Sequence, residues 1–206
     1  MANELSPLEQ LKASRNPLRV IDDVYKEAID GIPLKDEYIG LLKWYGMYPH
    51  INGDGTEDKK YFMKRIKLVD TKMNLEQLAV MAEIGQEYAQ GLVDFTTRQN
   101  VQFHFIQIKD MPAILDLLKS VGLTSRMASG DGPRPIMTCP VSGIDEGEFY
   151  DAAKLVKQVD TYFDVNEDRF CNFPRKYKIG ISGCKCHCAA HEIQDVAFTG
   201  FKNEKG

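Results

Sequence analysis

The run Thr96-Thr97-Arg98-Gln99-Asn100-Val101-Gln102-Phe103-His104-Phe105 sets a cation, two amides and an imidazole at alternate positions. With the period of a β-strand, Arg98, Asn100, Gln102 and His104 share one face, while Val101, Phe103 and Phe105 share the other. A strand that buries its aromatic face and aligns such donors opposite is building a polar surface suited to carboxylates and other anions. His104 taken alone reads as a satisfied structural histidine.

Other strands carry cations at i and i+2, which puts each pair on one face. Arg65 and Lys67 flank Ile66, and Lys176 and Lys178 flank Tyr177. Arg134 sits in the loop Ser129-Gly130-Asp131-Gly132-Pro133-Arg134-Pro135, whose glycines permit close approach of a ligand. A single pair of this kind is ordinarily a solvated strand face. Five or six cations converging on one sheet face would instead repel one another unless an anion lay between them. An anionic cofactor and an anionic substrate are implied together.

A second constellation lies near the C-terminus. Cys184, Cys186 and Cys188, followed by His187 and His191, could hold zinc or an iron–sulfur cluster, with Cys184 and Cys188 as the candidate metal ligands. So tight a run fits the usual ligand spacings poorly. Five cysteines, an odd number clustered toward one end, make a poor disulfide framework, so reduced thiols are expected.

These side chains need elements to position them. Residues 1–47 read as helical, with Leu18, Ile21, Val24, Tyr25 and Ala28 at helical spacing and Gly31 as a stop. The polar, glycine-bearing stretch 50–58 reads as a boundary loop. A strand over 61–69 is followed by a helix from Asn74, where Gln77 completes a capping box. Strands over 92–96 and 100–108 come next, then a helix over 111–121 that Gly122 stops. The order β-α-β-β-α suggests a ferredoxin-like split βαβ sheet completed by a further strand. Beyond it a short strand over 136–139, a helix over 148–163 and strands over 176–182 and 196–199 are expected.

Composition bounds the partners. With 206 residues and 43% hydrophobic content the chain can build a core of its own. A formal net charge of −4 argues against nucleic acid as the main partner, so the basic clusters read as local sites. The first residues have no apolar segment of signal-peptide type, and no run approaches the roughly 18 residues needed to span a bilayer. A cytoplasmic protein, with no membrane partner, is expected.

Four stretches, in order, resemble the siroheme- and [4Fe–4S]-dependent nitrite/sulfite reductases of the ferredoxin type, and specifically their N-terminal half. These are Leu42-Lys43-Trp44-Tyr45-Gly46-x-Tyr48-Pro49, Thr96-Thr97-Arg98-Gln99-Asn100-x-Gln102, Pro174-Arg175-Lys176-Tyr177-Lys178 and His191-Glu192-Ile193-Gln194-Asp195-Val196-Ala197-Phe198. The resemblance runs from about residue 18 to near the end. It implies an α+β fold: an N-terminal helical segment (1–58), a ferredoxin-like half-domain (59–125) and the start of a siroheme-binding reductase core (126–206).

The resemblance also implies roles. Arg65, Arg134, Lys176 and Lys178 match cations around the substrate anion, and Arg98, Gln102 and His104 match a strand that binds siroheme carboxylates or lines its pocket. Asn100 falls within the same stretch. The implied reaction is the six-electron reduction of sulfite to sulfide or nitrite to ammonia, with an electron donor such as ferredoxin. The family's cluster site uses Cys-x5-Cys and Cys-x3-Cys in its second half, whereas here Asp145 stands six positions after Cys139. The chain is therefore expected to need a missing C-terminal half or complementary subunit and to be inactive alone. The alternative is a non-catalytic metal- or tetrapyrrole-binding module built on the Cys184/Cys186/Cys188 turn.

Overall fold

Ser6 accepts from the Glu9 N–H and starts α1 (Pro7–Ser14). Gly31, at φ 66°, ends α2 (Ile21–Asp30) as its position predicts. A short α3 (Asp36–Ile39) and the 3-10 turn Leu42–Tyr45 follow. The computed structural model describes residues 5–203. Residues 1–4 and 204–206, the extreme ends of the first and last expected domains, lie outside the described residues.

The expected helix-then-loop reading fails at Met47. A strand, β1 (Met47–Ile51), turns through residues 52–56 and pairs antiparallel with β2 (Glu57–Ile66). Asn52, Asp54 and Gly55 are hairpin chemistry: the Asn52 N–H donates to Thr56 O, and the Asp54 carboxylate accepts from the Thr56 N–H and hydroxyl. Pro49 also biases Tyr48 toward extended backbone.

The capping box at Asn74 and Gln77 opens α4 (Leu75–Tyr88). Then come β3 (Asp94–Phe95), β4 (Val101–Ile106) and α5 (Met111–Ser120), with Gly122 at φ 68° just past the helix. The sheet order is β1-β2-β4-β3 with every neighbouring pair antiparallel. So β2 and β3 run parallel on either side of β4 and are joined through α4, which is a split βαβ unit. The completing strand comes from before the unit, not after it.

Phe62, Ile66, Val101 and Phe103 point to the helix side and pack with Ile84, Ile114 and Leu118. Leu18, Val24, Leu41, Leu42 and Trp44 belong to the same core, so the N-terminal segment is part of the half-domain's packing. Each such side chain contributes roughly 1.5–3 kcal/mol on burial.

The remaining chain forms a smaller core of Ile136, Ala152, Val156, Ile179 and Ile181. Its elements are α6 (Ala152–Val165), α7 (Glu167–Phe170), β5 (Ile179–Ser182) and β6 (Val196–Thr199), the two strands parallel. The expected strand at 136–139 is reduced to a parallel bridge, Met137 to Gly180. Helix α6 begins at its cap Asp151 and not at Glu148, because the Glu148 carboxylate is occupied by the Ser142 hydroxyl and the Gly143 N–H. Trp44 Nε1 donates to Cys171 O (2.6 Å), and both residues belong to the larger core, which thus takes in the segment just after α7. No helix among the described residues is long and apolar enough to cross a membrane.

Candidate functional site

Arg65 stands on β2 opposite Gln102 on β4. Gly46, at φ 73°, lets the preceding chain approach so closely that a Cβ there would lie 2.3 Å from Arg65 O. The Gln102 amide oxygen faces Arg65 and accepts from its Nε (3.0 Å) and Nη2 (2.5 Å). Arg98 arrives from a different kind of element. It sits in the tight turn between β3 and β4, where the Thr96 N–H donates to Asn100 O and the Gln99 N–H to Thr96 O. Its guanidinium donates to Pro135 O (3.0 Å) and Gln194 Oε1 (3.0 Å), which fix its direction.

Arg134 and the lysines come together through a backbone ribbon. The Arg134 N–H donates to Tyr177 O and the Tyr177 N–H to Gly132 O, which sets the glycine loop beside Lys176 and Lys178. Gly130, at φ 89°, lies so near the Trp44 ring that a Cβ would sit 2.8 Å from it. Asp131 holds the loop from behind by pairing with Lys12 (3.5 Å) and Lys43 (3.6 Å).

The result is one cavity of about 480 Å³ lined by Arg65, Arg98, Arg134, Lys176 and Lys178, with Asn100 and Gln102 in its wall. Among the described residues none of the five cations is ion-paired with a carboxylate. Arg134 Nε is buried with no hydrogen-bond partner, an open donor. Burial, then repulsion from Arg134 and Arg65, holds the Arg98 guanidinium below its usual range, and burial and Arg134 do the same to Arg65. Such a field favours an anion with several acceptor oxygens.

Four expectations change. The period-2 face breaks because His104 and Phe105 together oppose Met63 alone, a β-bulge with Phe105 at φ 62°. Phe105 therefore turns outward against His50 and Tyr61, and Ile106 takes the buried place expected for it. His104 is carried away from the cavity and pairs with Asp94 (3.2 Å). Asn100 lines the wall but its side chain is occupied, accepting from the Leu68 N–H and donating to Arg98 O, so it braces the turn. Lys67, read beside Arg65, lies beyond the strand end and pairs with Asp160 (2.8 Å) and Asp164 (3.0 Å).

The cysteine turn does not assemble a metal centre. Among the described residues no three His, Cys, Asp or Glu side chains are placed to hold a metal ion. Cys184 is buried while Cys186 and Cys188 are exposed. All five cysteines are free thiols, as expected.

Sequence reasoning quotes Tyr48 within a family motif but gives it no role, since it falls between the stretch read as helical, 1–47, and the loop, 50–58. It lines the cavity from β1, beneath Arg65, whose guanidinium carbon is 6.0 Å from the ring centre. Burial alone would raise the phenol; hydrogen bonding with Ser129 and Arg134, and the Arg65 charge, outweigh it and bring it below its ordinary value.

Comparison with known proteins bears on both modules. Residues 54–121 match the family model described as nitrite/sulfite reductase ferredoxin-like half domain, and residues 129–206 match the nitrite and sulphite reductase 4Fe-4S domain. The chain belongs to the nitrite/sulfite reductase family. A sulfite reductase [ferredoxin] of Mycobacterium tuberculosis is 34% identical over 95% of this chain and 37% of its own length. An assimilatory ferredoxin-dependent nitrite reductase of Haloferax mediterranei is 32% identical over 87% of this chain and 32% of its own length. The structure of Mycobacterium tuberculosis NirA protein superposes with a TM-score of 0.89 at 30% identity, covering 98% of this chain and 39% of that one. This family member thus spans less than two fifths of the length of those relatives, and its α+β, ferredoxin-like architecture is theirs.

Proposed function

We propose that this chain supplies the anion-binding, siroheme-facing part of an assimilatory nitrite or sulfite reductase that reduces nitrite to ammonia or sulfite to sulfide with six electrons. The observation that carries this reading is the convergence of five cations without carboxylate partners, among the described residues, around one cavity into which the sequence order of the family's motifs also leads. Arg65, Arg134, Lys176 and Lys178 are assigned to the substrate anion. Arg98 and Gln102 are assigned to cofactor carboxylates, Gln102 both directly and by fixing Arg65.

Siroheme fits this surface: its carboxylates suit the arginine forks, and the buried, unpartnered Arg134 Nε has no acceptor within the chain. When bound, siroheme supplies the iron and conjugated ring that deliver electrons to the substrate. The chain's own contribution is electrostatic and protonic. Arginines hold the anion in a fixed orientation, lysines and the Tyr48 phenol can pass protons to departing oxygen, and the surrounding charge stabilises negative charge as it develops. A [4Fe–4S] cluster belongs to the proposed whole enzyme, but the cysteines here are not arranged for it.

The same reading includes ferredoxin as the class of electron donor, a cytoplasmic location, no role for nucleic acid, and a complementary polypeptide carrying the cluster. Boundaries near residues 59 and 126 separate the half-domain from the partial core in this proposal. It is tested by adding siroheme to the purified chain and recording the visible spectrum. A Soret band that weakens in Arg98→Gln and survives Cys184→Ser is expected. Stoichiometric zinc on the cysteine turn with no tetrapyrrole uptake would instead point to a metal-binding module.

A further inference from the structure

Each protein group that accepts from Arg98, among the described residues, is neutral. Its Nη1 donates to Gln194 Oε1 (3.0 Å) and to Met137 Sδ (3.2 Å), and its Nη2 to Pro135 O (3.0 Å). The Nε–H and a second Nη2 hydrogen are left over for a ligand. Asp195, the carboxylate next to Gln194 whose charge favours the guanidinium, is already held by the Lys178 N–H (2.7 Å). Arg98 therefore shares the cavity with Arg65 and Arg134 while its own charge has no partner in the chain.

Gln194 meets Arg98 under constraint. Its Nε2 donates to Ala189 O (2.9 Å) and Ala190 O (3.2 Å), at the end of the cysteine turn. Turning the amide over would set its oxygen against two other oxygens, so the oxygen is committed to Arg98. Ala190 is kept in left-handed backbone (φ 48°), a conformation costly for a residue with a Cβ, while its carbonyl receives this amide. Gly180 on β5 makes the room beneath: a Cβ there would lie 3.0 Å from Gln194 Cγ and 3.3 Å from the His191 ring. Glutamate has the same shape as glutamine, but only the amide can donate to both carbonyls and leave the arginine's charge whole.

We propose that Gln194 is a positioning residue that aims Arg98 into the cavity while leaving its positive charge unpaired. A carboxylate at this place would supply from within the counter-charge that the cavity otherwise takes from its ligand. An apolar side chain would leave the guanidinium free to turn. The consequence for cofactor binding rests on the siroheme-facing reading of Arg98; the grip of residue 194 on the guanidinium does not.

The test compares the full wild-type chain with Gln194→Glu and Gln194→Met, and each variant with and without Arg98→Met. A carboxyl introduced beside Arg98 has its folded pKa drawn below the unfolded value of about 4.3, so its pairing contributes stability above that value and loses it as pH falls through the folded pKa. In urea unfolding, the stability of Gln194→Glu relative to Gln194→Met should thus be full at about pH 6, decline below about pH 4.5, and lose much of this pH dependence when both carry Arg98→Met. His191 is common to all these proteins, so its titration cancels. In siroheme titrations followed at the Soret band near pH 7.5, uptake should weaken at least about tenfold in Gln194→Glu and about threefold in Gln194→Met. A loss in Gln194→Glu no larger than in Gln194→Met, wild-type uptake by Gln194→Met, or a pH profile indifferent to Arg98 would overturn the proposal. A wild-type chain that takes up no siroheme would sink the siroheme-facing reading, and the Arg98-dependent pH profile would still decide whether residue 194 grips the guanidinium.

Discussion

Arg65 and Gln102 are cross-strand partners whose side chains interlock, the amide oxygen receiving two donors of the guanidinium. Gln102 thereby limits Arg65 to one direction, toward the cavity it shares with Arg134 and the two lysines. Gln102→Leu keeps the side chain's bulk and removes the acceptor. Losing the acceptor of both guanidinium donors frees Arg65 to turn, and is expected to weaken sulfite or nitrite binding in the siroheme-loaded protein on the order of fivefold, about 1 kcal/mol. Calorimetric titration reads this, and unchanged affinity would show that Arg65 orients itself.

The two cavity lysines are not equivalent. Lys178 Nζ donates to Ile193 O (2.7 Å) and its backbone N–H to Asp195, so it also pins the segment before β6. Lys176 is exposed and has no such tie among the described residues. Lys176→Met should therefore lower anion affinity or turnover by about 1.5–3 kcal/mol while leaving the melting temperature and siroheme content near wild type. Lys178→Met should lose both affinity and stability. Equal effects of the two substitutions on unfolding would contradict the distinction.

Lys64 gives the chain an unusual pH response. It is fully buried on the helix side of β2, with Tyr45 O as its hydrogen-bond acceptor (2.9 Å), and burial pulls its amine from 10.5 down to about 7. Between those values the unfolded chain binds a proton that the folded chain has released, so this group makes stability rise with pH across that window. Below about pH 7 its full cost is present, up to about 5 kcal/mol at 1.36 kcal/mol per unit. Lys64→Met should stabilise the protein at neutral pH and flatten the profile. Urea midpoints at about pH 6.5 and about pH 9.5 check the sign; a wild-type protein that weakens over this range through Lys64 would refute it.

The sequence makes some of this legible because the signals are local. Asn74 with Gln77, Gly31 and Gly122 announce helix ends through backbone chemistry that neighbours alone determine. Arg65, Arg134, Lys176 and Lys178 are legible as a set because like charges on strand faces need a reason. What escaped depends on partners far along the chain. The bulge at His104 and Phe105 follows from how β4 must fit β2, and no pattern within residues 98–105 marks where two residues will oppose one. Tyr48 escapes because it falls between a stretch read as helical and one read as a loop, although Pro49 and the hairpin residues after it carry the signal for a strand.

Lys67 shows the same long-range dependence and leads to a sharp stability test. Its amine, buried at the end of β2, bonds Asp160 and Asp164 on α6, more than ninety residues later, and so joins the half-domain to the second module. Burial pushes the Asp160 carboxyl up, and Lys67 pulls it back toward the charged form. Lys67→Met would leave Asp160 buried without its cation, which costs about 3–5 kcal/mol for broken buried pairs. Removing the charge as well, in Lys67→Met with Asp160→Asn, should recover a large part of that loss, because the penalty comes from the unpaired carboxylate. Chemical denaturation of the single and double variants measures the coupling. Hydrogen exchange should show α6 loosening first in the single variant. A Lys67→Met protein as stable as wild type, or a double variant no better than the single, would mean that this ion pair does not hold the modules together.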